Sequence, residues 1–367
     1  MANGSDLESW IAGMPKAELH VHLEGCLTPD LARTLATRNK LPPPPSLSSL
    51  TGSGNTSSYD FHDLTSFLAV YYPNMTVLQT EQDFRDLALS YLTHAATQNI
   101  KHAEMFFDPQ AHTSRGVPFP TVVRGYRAGI MTAQRTLGIS ASLIMCFLRD
   151  QSAEYAMATL MESLPFKDSI IGVGLDSDER DNPPAKFAAV YQRASREGYL
   201  LTCHCDIDQP NTLTHITQAL TELQVDRLDH GSNVLAQPDL VDLLKSKNIG
   251  LTCCPVSNSV VTADFKGPDI VALLRTGVKV TVNSDDPAYF RAYLNENMLK
   301  MATATDLSRA ELIQLQRNAF EISWISSWRR SHFLALLDGY EKSTLHDHDQ
   351  NHVEGIGNGA AGEVLAA

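Results

Sequence analysis

Two histidines separated by one residue lie near the start of the chain, inside a mainly apolar run at residues 17–23. Because successive side chains of a β-strand point to opposite faces, His20 and His22 would share one face, and Leu19 and Val21 the other. Imidazole is a natural ligand of Zn²⁺, and two imidazoles from one strand can bind one ion if other strands supply the remaining ligands. The pair alone is weak evidence, since two polar histidines at a solvated strand edge have the same spacing.

Two further polar side chains follow apolar runs. His204 comes after the run at 199–203, and Asp285 comes after the run at 278–284. Burying such groups without a partner costs free energy. A metal ion shared with the histidine pair would remove this cost and leave one coordination position for water, as a catalytic zinc site requires. The four side chains therefore predict one bound zinc ion per chain.

His230 ends another short run, at 226–231, and is not needed as a fifth ligand. We expect it to orient or deprotonate the attacking water. Each of these residues also has a structural interpretation: a histidine at a strand end is commonly hydrogen bonded, and Asp285-Asp286-Pro287 is typical of a turn or a helix cap. Their combination is what favours catalysis.

The elements that must position these groups follow a regular rhythm of β-branched runs and stretches with helical spacing, as in a parallel βα repeat. Eight such runs occur, at 17–23, 100–107, 141–148, 169–176, 199–206, 226–231, 249–254 and 278–286. Eight runs fit a closed barrel, although a doubly wound sheet has the same alternation. Asp176, His204, His230, residues 255–258 and residues 285–286 all follow or end their runs, and barrel enzymes assemble their sites at that rim. We predict a (β/α)8 TIM barrel of the metal-dependent hydrolase type over residues 1–340.

Two segments look dispensable to the core. Residues 41–58 are rich in Pro, Gly and Ser and predict a surface loop in the barrel domain. Residues 341–367 predict a weakly ordered tail. Its histidines, within HDHDQNH, could bind metal, but a solvated tail is the favoured interpretation.

The composition narrows the class of function. A formal charge of −13 argues against binding to nucleic acid or to anionic membranes, which clustered Lys and Arg would favour. The first residues do not read as a secretory signal, and the absence of a long apolar run leads us to expect no membrane helix. Six cysteines, mostly in apolar runs, predict buried thiols. We expect a cytoplasmic protein, with the nucleus as a second location; its oligomeric state is not indicated.

Four motifs are similar to those of the adenosine and adenine deaminases of the amidohydrolase superfamily. They are ELHVHLEG at 18–25, LDHG at 228–231, CPVSN at 254–258 and NSDDP at 283–287. The resemblance runs from about residue 15 to residue 330. Residues 102–116, 143–149 and 174–177 are more similar to the fungal and bacterial adenine deaminases than to the nucleoside deaminases.

The resemblance implies a free purine base as substrate, with a metal-activated water attacking the carbon that bears the exocyclic amine and ammonia departing. The implied zinc ligands are His20, His22, His204 and Asp285. His230 would orient the water, Asp286 would accept a hydrogen bond from a ring nitrogen, and backbone near Gly174 would touch the opposite ring edge. Glu24 would contact the substrate, or else be a surface carboxylate.

The family also implies a lid over the site. Phe61, Leu64, Phe67, Leu68 and Tyr71 have helical spacing and resemble that lid. An apolar stripe at this spacing is equally typical of simple packing.

The chain departs from the family after the fifth run. Where the family has His-Ala-Gly-Glu, with a glutamate that protonates the purine ring, this chain reads His204-Cys205-Asp206-Ile207. Isoleucine cannot donate a proton, and a general acid contributes about 10²- to 10⁴-fold in rate. The neighbouring Asp206 and Asp208 could replace the acid, bind a cationic substrate, or cap the following helix.

Three functions therefore remain open. The first is a deaminase-type hydrolase acting on a purine-like or other aminated heterocycle different from adenine. The second is a true adenine deaminase that uses Asp206 or Asp208 as its acid. The third is a non-catalytic relative that binds a purine or a protein, against which the retained ligand set argues.

Replacing Ile207 with glutamate tests whether the missing acid limits adenine turnover. We expect weak ammonia release from adenine in the wild type and a rise of about 10²-fold or more in I207E, because the proton donor is restored. Ammonia release from adenine under steady-state conditions measures both. Rapid turnover by the wild type would contradict the expectation.

Overall fold

The computed structural model describes residues 4–48, 59, 61–205 and 208–357. Within these ranges the chain forms one sheet of eight parallel strands in which spatial order follows chain order. The strands are β1 (Lys16–His22), β2 (Ile100–Phe107), β3 (Ser140–Leu148), β4 (Ile170–Asp176), β5 (Leu200–Cys205), β6 (Arg227–His230), β7 (Gly250–Cys253) and β8 (Val280–Val282). All eight strands lie within the predicted runs, except that β1 and β3 each begin one residue earlier, at Lys16 and Ser140. The strand prediction is confirmed.

Helices connect the strands and add to the ends of the barrel. Those in the described part of the chain are α1 (Gly4–Gly13), α2 (Pro29–Arg38), α3 (Leu64–Asn74), α4 (Glu81–Thr97), α5 (Pro109–Thr113), α6 (Phe119–Leu137), α7 (Ala153–Ser163), α8 (Ala188–Glu197), α9 (Thr212–Gln218), α10 (Pro238–Lys247), α11 (Pro255–Val261), α12 (Gly267–Arg275), α13 (Pro287–Phe290), α14 (Leu294–Ala304), α15 (Arg309–Ile322) and α16 (Ser327–Gly357). Glycines in the left-handed conformation end α6 and α8, at Gly138 (φ 71°) and Gly198 (φ 82°). There the chain reverses at once into the next strand.

The barrel closes between β8 and β1, just beyond the end of β8. The backbone N–H of His22 donates to the carbonyl of Asp285 (2.9 Å), and the N–H of Asp285 donates to the carbonyl of His20 (3.1 Å). Lower down, the Asn283 side chain accepts a hydrogen bond from the N–H of Leu19 (2.9 Å). The (β/α)8 architecture is thereby confirmed, and three predicted metal ligands form the seam.

The two segments predicted to lie outside the core are described only in part. Residues 41–48 include a short 3₁₀ helix at Pro45–Ser48, and residues 49–58 lie outside the described residues. The predicted tail begins inside α16, whose helical backbone runs to Gly357. Residues 358–367 also lie outside the described residues.

Two predictions from composition concern features of the whole chain. All six cysteines are buried thiols that form no disulfide, as expected in apolar strands. In the part of the chain that the structure describes, no helix combines the length and apolar character needed to cross a membrane.

A buried ion pair fixes the lower interior of the barrel. Arg227 of β6 donates to the carboxylate of Glu104 on β2 and to the carbonyl of Leu19 on β1 (3.2 Å). Both charged side chains are fully buried, and the guanidinium stacks on the Trp324 ring at 4.2 Å. Burial opposes ionisation of Glu104, but the charge of Arg227 outweighs it and lowers the pKa of the carboxyl. The pair thus crosses the barrel interior and joins three strands.

Removing one charge of this pair should strongly destabilise the barrel. We expect E104Q to lower the free energy of unfolding by about 3–5 kcal/mol, because it leaves the buried Arg227 guanidinium with only the more distant Asp229 carboxylate, at 3.9 Å, as a counter-charge. Urea unfolding followed by circular dichroism measures the loss. The control is E321Q, whose partly exposed pair with Lys279 should be worth about 0–1 kcal/mol. Equal stabilities of the two variants would contradict the assignment.

Candidate active site

The four predicted ligands meet at the carboxyl ends of β1, β5 and β8. Nε2 of His204 lies 3.1 Å from Nε2 of His20 and 3.2 Å from Nε2 of His22. Oδ1 of Asp285 lies 3.2 Å from Nε2 of His20 and 3.4 Å from Nε2 of His22. All four residues are at least nine-tenths buried. The structure therefore brings together, around one point, side chains that the sequence separates by up to 265 positions.

These separations fit a single small cation. Two atoms at zinc–ligand distance in a tetrahedral arrangement lie about 3.3 Å apart, close to the spacings between these nitrogen and oxygen atoms. Burial, followed by repulsion from the neighbouring imidazoles, lowers the pKa of His204 well below its usual value. Burial opposes ionisation of Asp285, but the surrounding imidazoles, His20 first, hold the pKa of its carboxyl well below its usual value. Neutral imidazoles and one carboxylate are the forms that bind zinc.

Asp229, one residue before His230 on β6, supports the imidazoles of His20 and His204 on their Nδ1 sides. Its Oδ1 accepts a hydrogen bond from Thr252 (2.8 Å), whose hydroxyl lies 2.9 Å from Nδ1 of His20. Its Oδ2 accepts from Thr202 (2.6 Å) and lies 3.5 Å from Nδ1 of His204. Such partners fix the tautomer and the orientation of metal-binding histidines. Sequence reasoning missed Asp229, although its place beside His230 in the LDHG motif was a usable signal.

Asp285 is fixed in an uncommon backbone conformation, and so is His230. Their φ angles are 64° and 56°, in the left-handed region that non-glycine residues rarely adopt. Glu18, from the first motif, accepts hydrogen bonds from the backbone N–H (3.0 Å) and the hydroxyl of Ser284 and so holds the loop before Asp285. Strained backbone of this kind is commonly found at functional sites.

His230 faces the same cluster as the predicted ligands. Its Nε2 lies 3.7 Å from Oδ2 of Asp285. One donor atom of each of His20, His204, His230 and Asp285 lies within 4.8 Å of the others. This proximity suits a side chain that orients or deprotonates a water beside the metal, and it would also allow direct ligation.

A pocket opens onto this cluster. One wall is the apolar face of α3, with Leu64, Phe67, Leu68 and Tyr71, four of the five residues that resemble a lid. The opposite wall carries carboxyl groups. Its acidic residues are Asp108, Asp176, Glu179, Asp285 and Asp286.

Two of these acidic residues were not singled out from the sequence. Asp108 directly follows β2, as Asp285 follows β8, so the strand-end rule could have found it. Glu179 lies in the loop after β4, where its Oε2 is 3.4 Å from Arg149 Nη1. Arg149 also donates to the backbone carbonyl of His204 (2.8 Å) and so links the loop to a predicted metal ligand. Residues of irregular loops follow neither helical nor strand periodicity, so the sequence offers no pattern that would identify Glu179.

Glu24 and Gly174, both predicted to contact substrate, are not among the described residues that line the pocket. Glu24 is fully buried, so the surface alternative is wrong. Its Oε1 accepts a hydrogen bond from Tyr126 (2.7 Å) and lies 2.8 Å from Nε2 of His112. A Cβ at Gly174 would lie 2.6 Å from Sγ of Cys146, inside the barrel.

The predicted replacement acids, Asp206 and Asp208, follow β5 in the sequence. Asp206 and Ile207 fall outside the described residues. Asp208 is exposed, and its carboxylate is bound by Lys266 (2.9 Å) and Asn233 (2.8 Å) rather than lining the pocket. This ion pair anchors the loop to the segment before α12.

Asp286 lies in the pocket against Gly25. A Cβ at Gly25 would overlap the Asp286 carboxyl and lie 2.8 Å from its Cα. Burial, followed by the charge of Asp285, raises the pKa of Asp286 well above its usual value. Its Oδ1 finds no hydrogen-bond partner in the described part of the chain, which leaves it available to a ligand.

Comparison with known proteins is consistent with this geometry. Residues 15–340 match the adenosine deaminase family. The chain is 49% identical over 337 residues to an uncharacterised deaminase of Schizosaccharomyces pombe, covering 92% of this chain and 98% of that protein. It is 45% identical over 337 residues to an adenine deaminase of Trichlorobacter lovleyi, covering 91% and 95% of the two chains.

Two solved structures share the fold over nearly the whole chain. An adenine deaminase from Arthrobacter aurescens superposes with a TM-score of 0.83 at 39% identity and covers 90% of this chain and 100% of its own. An amidohydrolase from Burkholderia ambifaria with bound zinc superposes with a TM-score of 0.79 at 25% identity, covering 91% and 94% of the two chains. The chain belongs to the adenosine deaminase family and is a metal-dependent deaminase-type amidohydrolase.

Substituting Gly25 tests the placement of Asp286. We expect G25A to keep its metal content, because Asp286 is not among the four predicted ligands, and to lose about 100-fold in kcat/KM as the carboxyl is displaced. Ammonia release from the best substrate and elemental analysis measure the two effects. The matched control is G339A, where a Cβ meets open space. An unchanged kcat/KM in G25A would show that Asp286 tolerates displacement.

Proposed function

We propose that this deaminase is a zinc enzyme that removes the amino group from a purine-like base by hydrolysis. The observation that carries the proposal is the convergence of His20, His22, His204 and Asp285, at 3.1–3.4 Å separations, at the floor of a pocket. Zinc is favoured because imidazole and carboxylate ligands in a four-coordinate arrangement suit it. The zinc-containing amidohydrolase structure supports the same metal.

The chain's own residues would divide the remaining work. A zinc ion held by the four ligands would supply a water of lowered pKa at the pocket floor. His230 Nε2, 3.7 Å from the Asp285 carboxylate, is placed to accept a proton from that water. Asp286 would hold a ring nitrogen of the base, with Gly25 leaving it the room to do so. The aromatic wall of α3 would exclude bulk water and raise the strength of these interactions.

Adenine is the first candidate substrate. The similar proteins from Trichlorobacter lovleyi and Arthrobacter aurescens are named adenine deaminases. Ile207 supports the second candidate, a different aminated heterocycle, because an alignment without a gap puts it where the family motif has its ring-protonating glutamate. With Asp208 bound to Lys266, Asp206 is the stronger candidate for a replacement acid. We further propose a cytoplasmic location, with the nucleus as a second compartment, on composition alone.

Metal analysis combined with a substrate panel tests the proposed function. We expect about one zinc per chain in protein purified without chelators, and its loss in H20A and D285A, because each removes a ligand from a buried site. The unaltered protein should release ammonia from at least one aminated purine in a panel of purines, pterins and pyrimidines. D178N, a change near but outside the pocket lining, serves as the control. A metal-free protein that releases no ammonia would favour the non-catalytic interpretation.

A further inference from the structure

We propose that the carboxyls of Asp108 and Asp176 select the substrate: they accept a hydrogen bond from the ring N–H of a free base and thereby discriminate against bases substituted at that nitrogen. The inference rests on the proposed function only for the choice of a nitrogen heterocycle as ligand. It assigns the selection of the base to two residues that take no part in the predicted metal site.

The two carboxyls come from different strands and share one wall of the pocket. Asp108 follows β2, and Asp176 is the last residue of β4. They are 1% and 4% exposed, and both line the pocket. One carboxylate oxygen of each lies within 4.8 Å of the other and of a ring nitrogen of His22. A ligand that fills the pocket therefore meets both carboxyls.

These carboxyls keep acceptor oxygens that no protein group satisfies. Both oxygens of Asp176 and Oδ1 of Asp108 are buried without a hydrogen-bond partner among the described residues. Oδ2 of Asp176 faces Nδ1 of His22 at 3.6 Å, much as Asp229 faces His204, so Oδ1 of each carboxyl is the atom left for a ligand. Leaving buried acceptors unpaired costs free energy, so a ligand that brings N–H donors is favoured over one that does not.

The chemistry of the carboxyl group supports an accepting role. Each carboxyl has two oxygens, and each oxygen has two lone pairs, so a contact between Asp108 and Asp176 still leaves acceptor positions for N–H donors from the ligand.

The charge of the pocket restricts the ligand further. Its lining, within the residues that the structure describes, contains five acidic residues and neither lysine nor arginine. Such a wall repels a phosphate group, so nucleotides are disfavoured. A free purine always carries one N–H on its five-membered ring, whereas a substituent at N9 removes that donor. The chemistry that fits both constraints is an unphosphorylated base with a free ring N–H.

Binding calorimetry with two inert ligands tests this without requiring turnover. The zinc-loaded protein is titrated with hypoxanthine and with 9-methylhypoxanthine, which lacks the N–H of the five-membered ring but keeps the one at N1. We expect the unaltered protein to prefer hypoxanthine by about tenfold or more, the value of a hydrogen bond to a charged acceptor. In D176N and D108N this preference should shrink toward unity, mainly through weaker binding of hypoxanthine. The matched control D178N, whose carboxylate pairs with Arg180 outside the pocket lining, should keep the full preference.

The outcomes distinguish recognition of the ring N–H from steric exclusion of the methyl group and from catalytic activity. Equal affinities in the unaltered protein, or a preference that survives in both variants and so reflects steric exclusion of the methyl group, would overturn the proposal. Loss of a second equivalent of metal in D176N would do the same, since it would make the pair a cation site. If D176N does not fold, D108N supplies the same comparison. A preserved preference for hypoxanthine, with no ammonia release from any base, would contradict the proposed function but not this inference.

Discussion

The burial of three imidazoles and a carboxylate around one point is the constraint on which the rest of the structure depends. Groups of this polarity lose their hydration inside the barrel, and their mutual contacts do not replace it. One cation in their midst would satisfy all of them together. The low pKa of His204 is consistent with this, since it keeps the imidazole neutral and able to bind metal.

The same residues close the barrel. The Asp285 backbone exchanges hydrogen bonds with His20 and His22 across the seam between β8 and β1. The backbone hydrogen bonds that close the sheet therefore also fix the positions of three predicted metal ligands. The strained φ angles of Asp285 and His230 fit this view, because about 1–3 kcal/mol of backbone strain persists only where the surroundings hold it.

Two kinds of wall give the pocket its selectivity. The α3 wall is aromatic and aliphatic, and it accepts a flat ring without distinguishing one heterocycle from another. The opposite wall is acidic, and it distinguishes ligands by their hydrogen-bond donors and by their charge. The division suits a barrel, in which the strands fix the predicted metal ligands and the loops that follow them shape the substrate side of the pocket.

The sequence by itself determined the eight strands, the barrel and the four converging ligands. Alternation within a strand fixes which face a side chain takes, and polar groups at the ends of apolar runs mark one rim. The motif that contains His230 pointed to Asp229, but its role could not be assigned, because that role depends on contacts with Thr202 and Thr252 of two other strands. Nor could the sequence show that Asp208 is bound by Lys266, 58 residues away, or that Glu24 is buried. Local periodicity carries no information about which distant loop folds against a residue, so only the tertiary structure decided the partners of the loop residues.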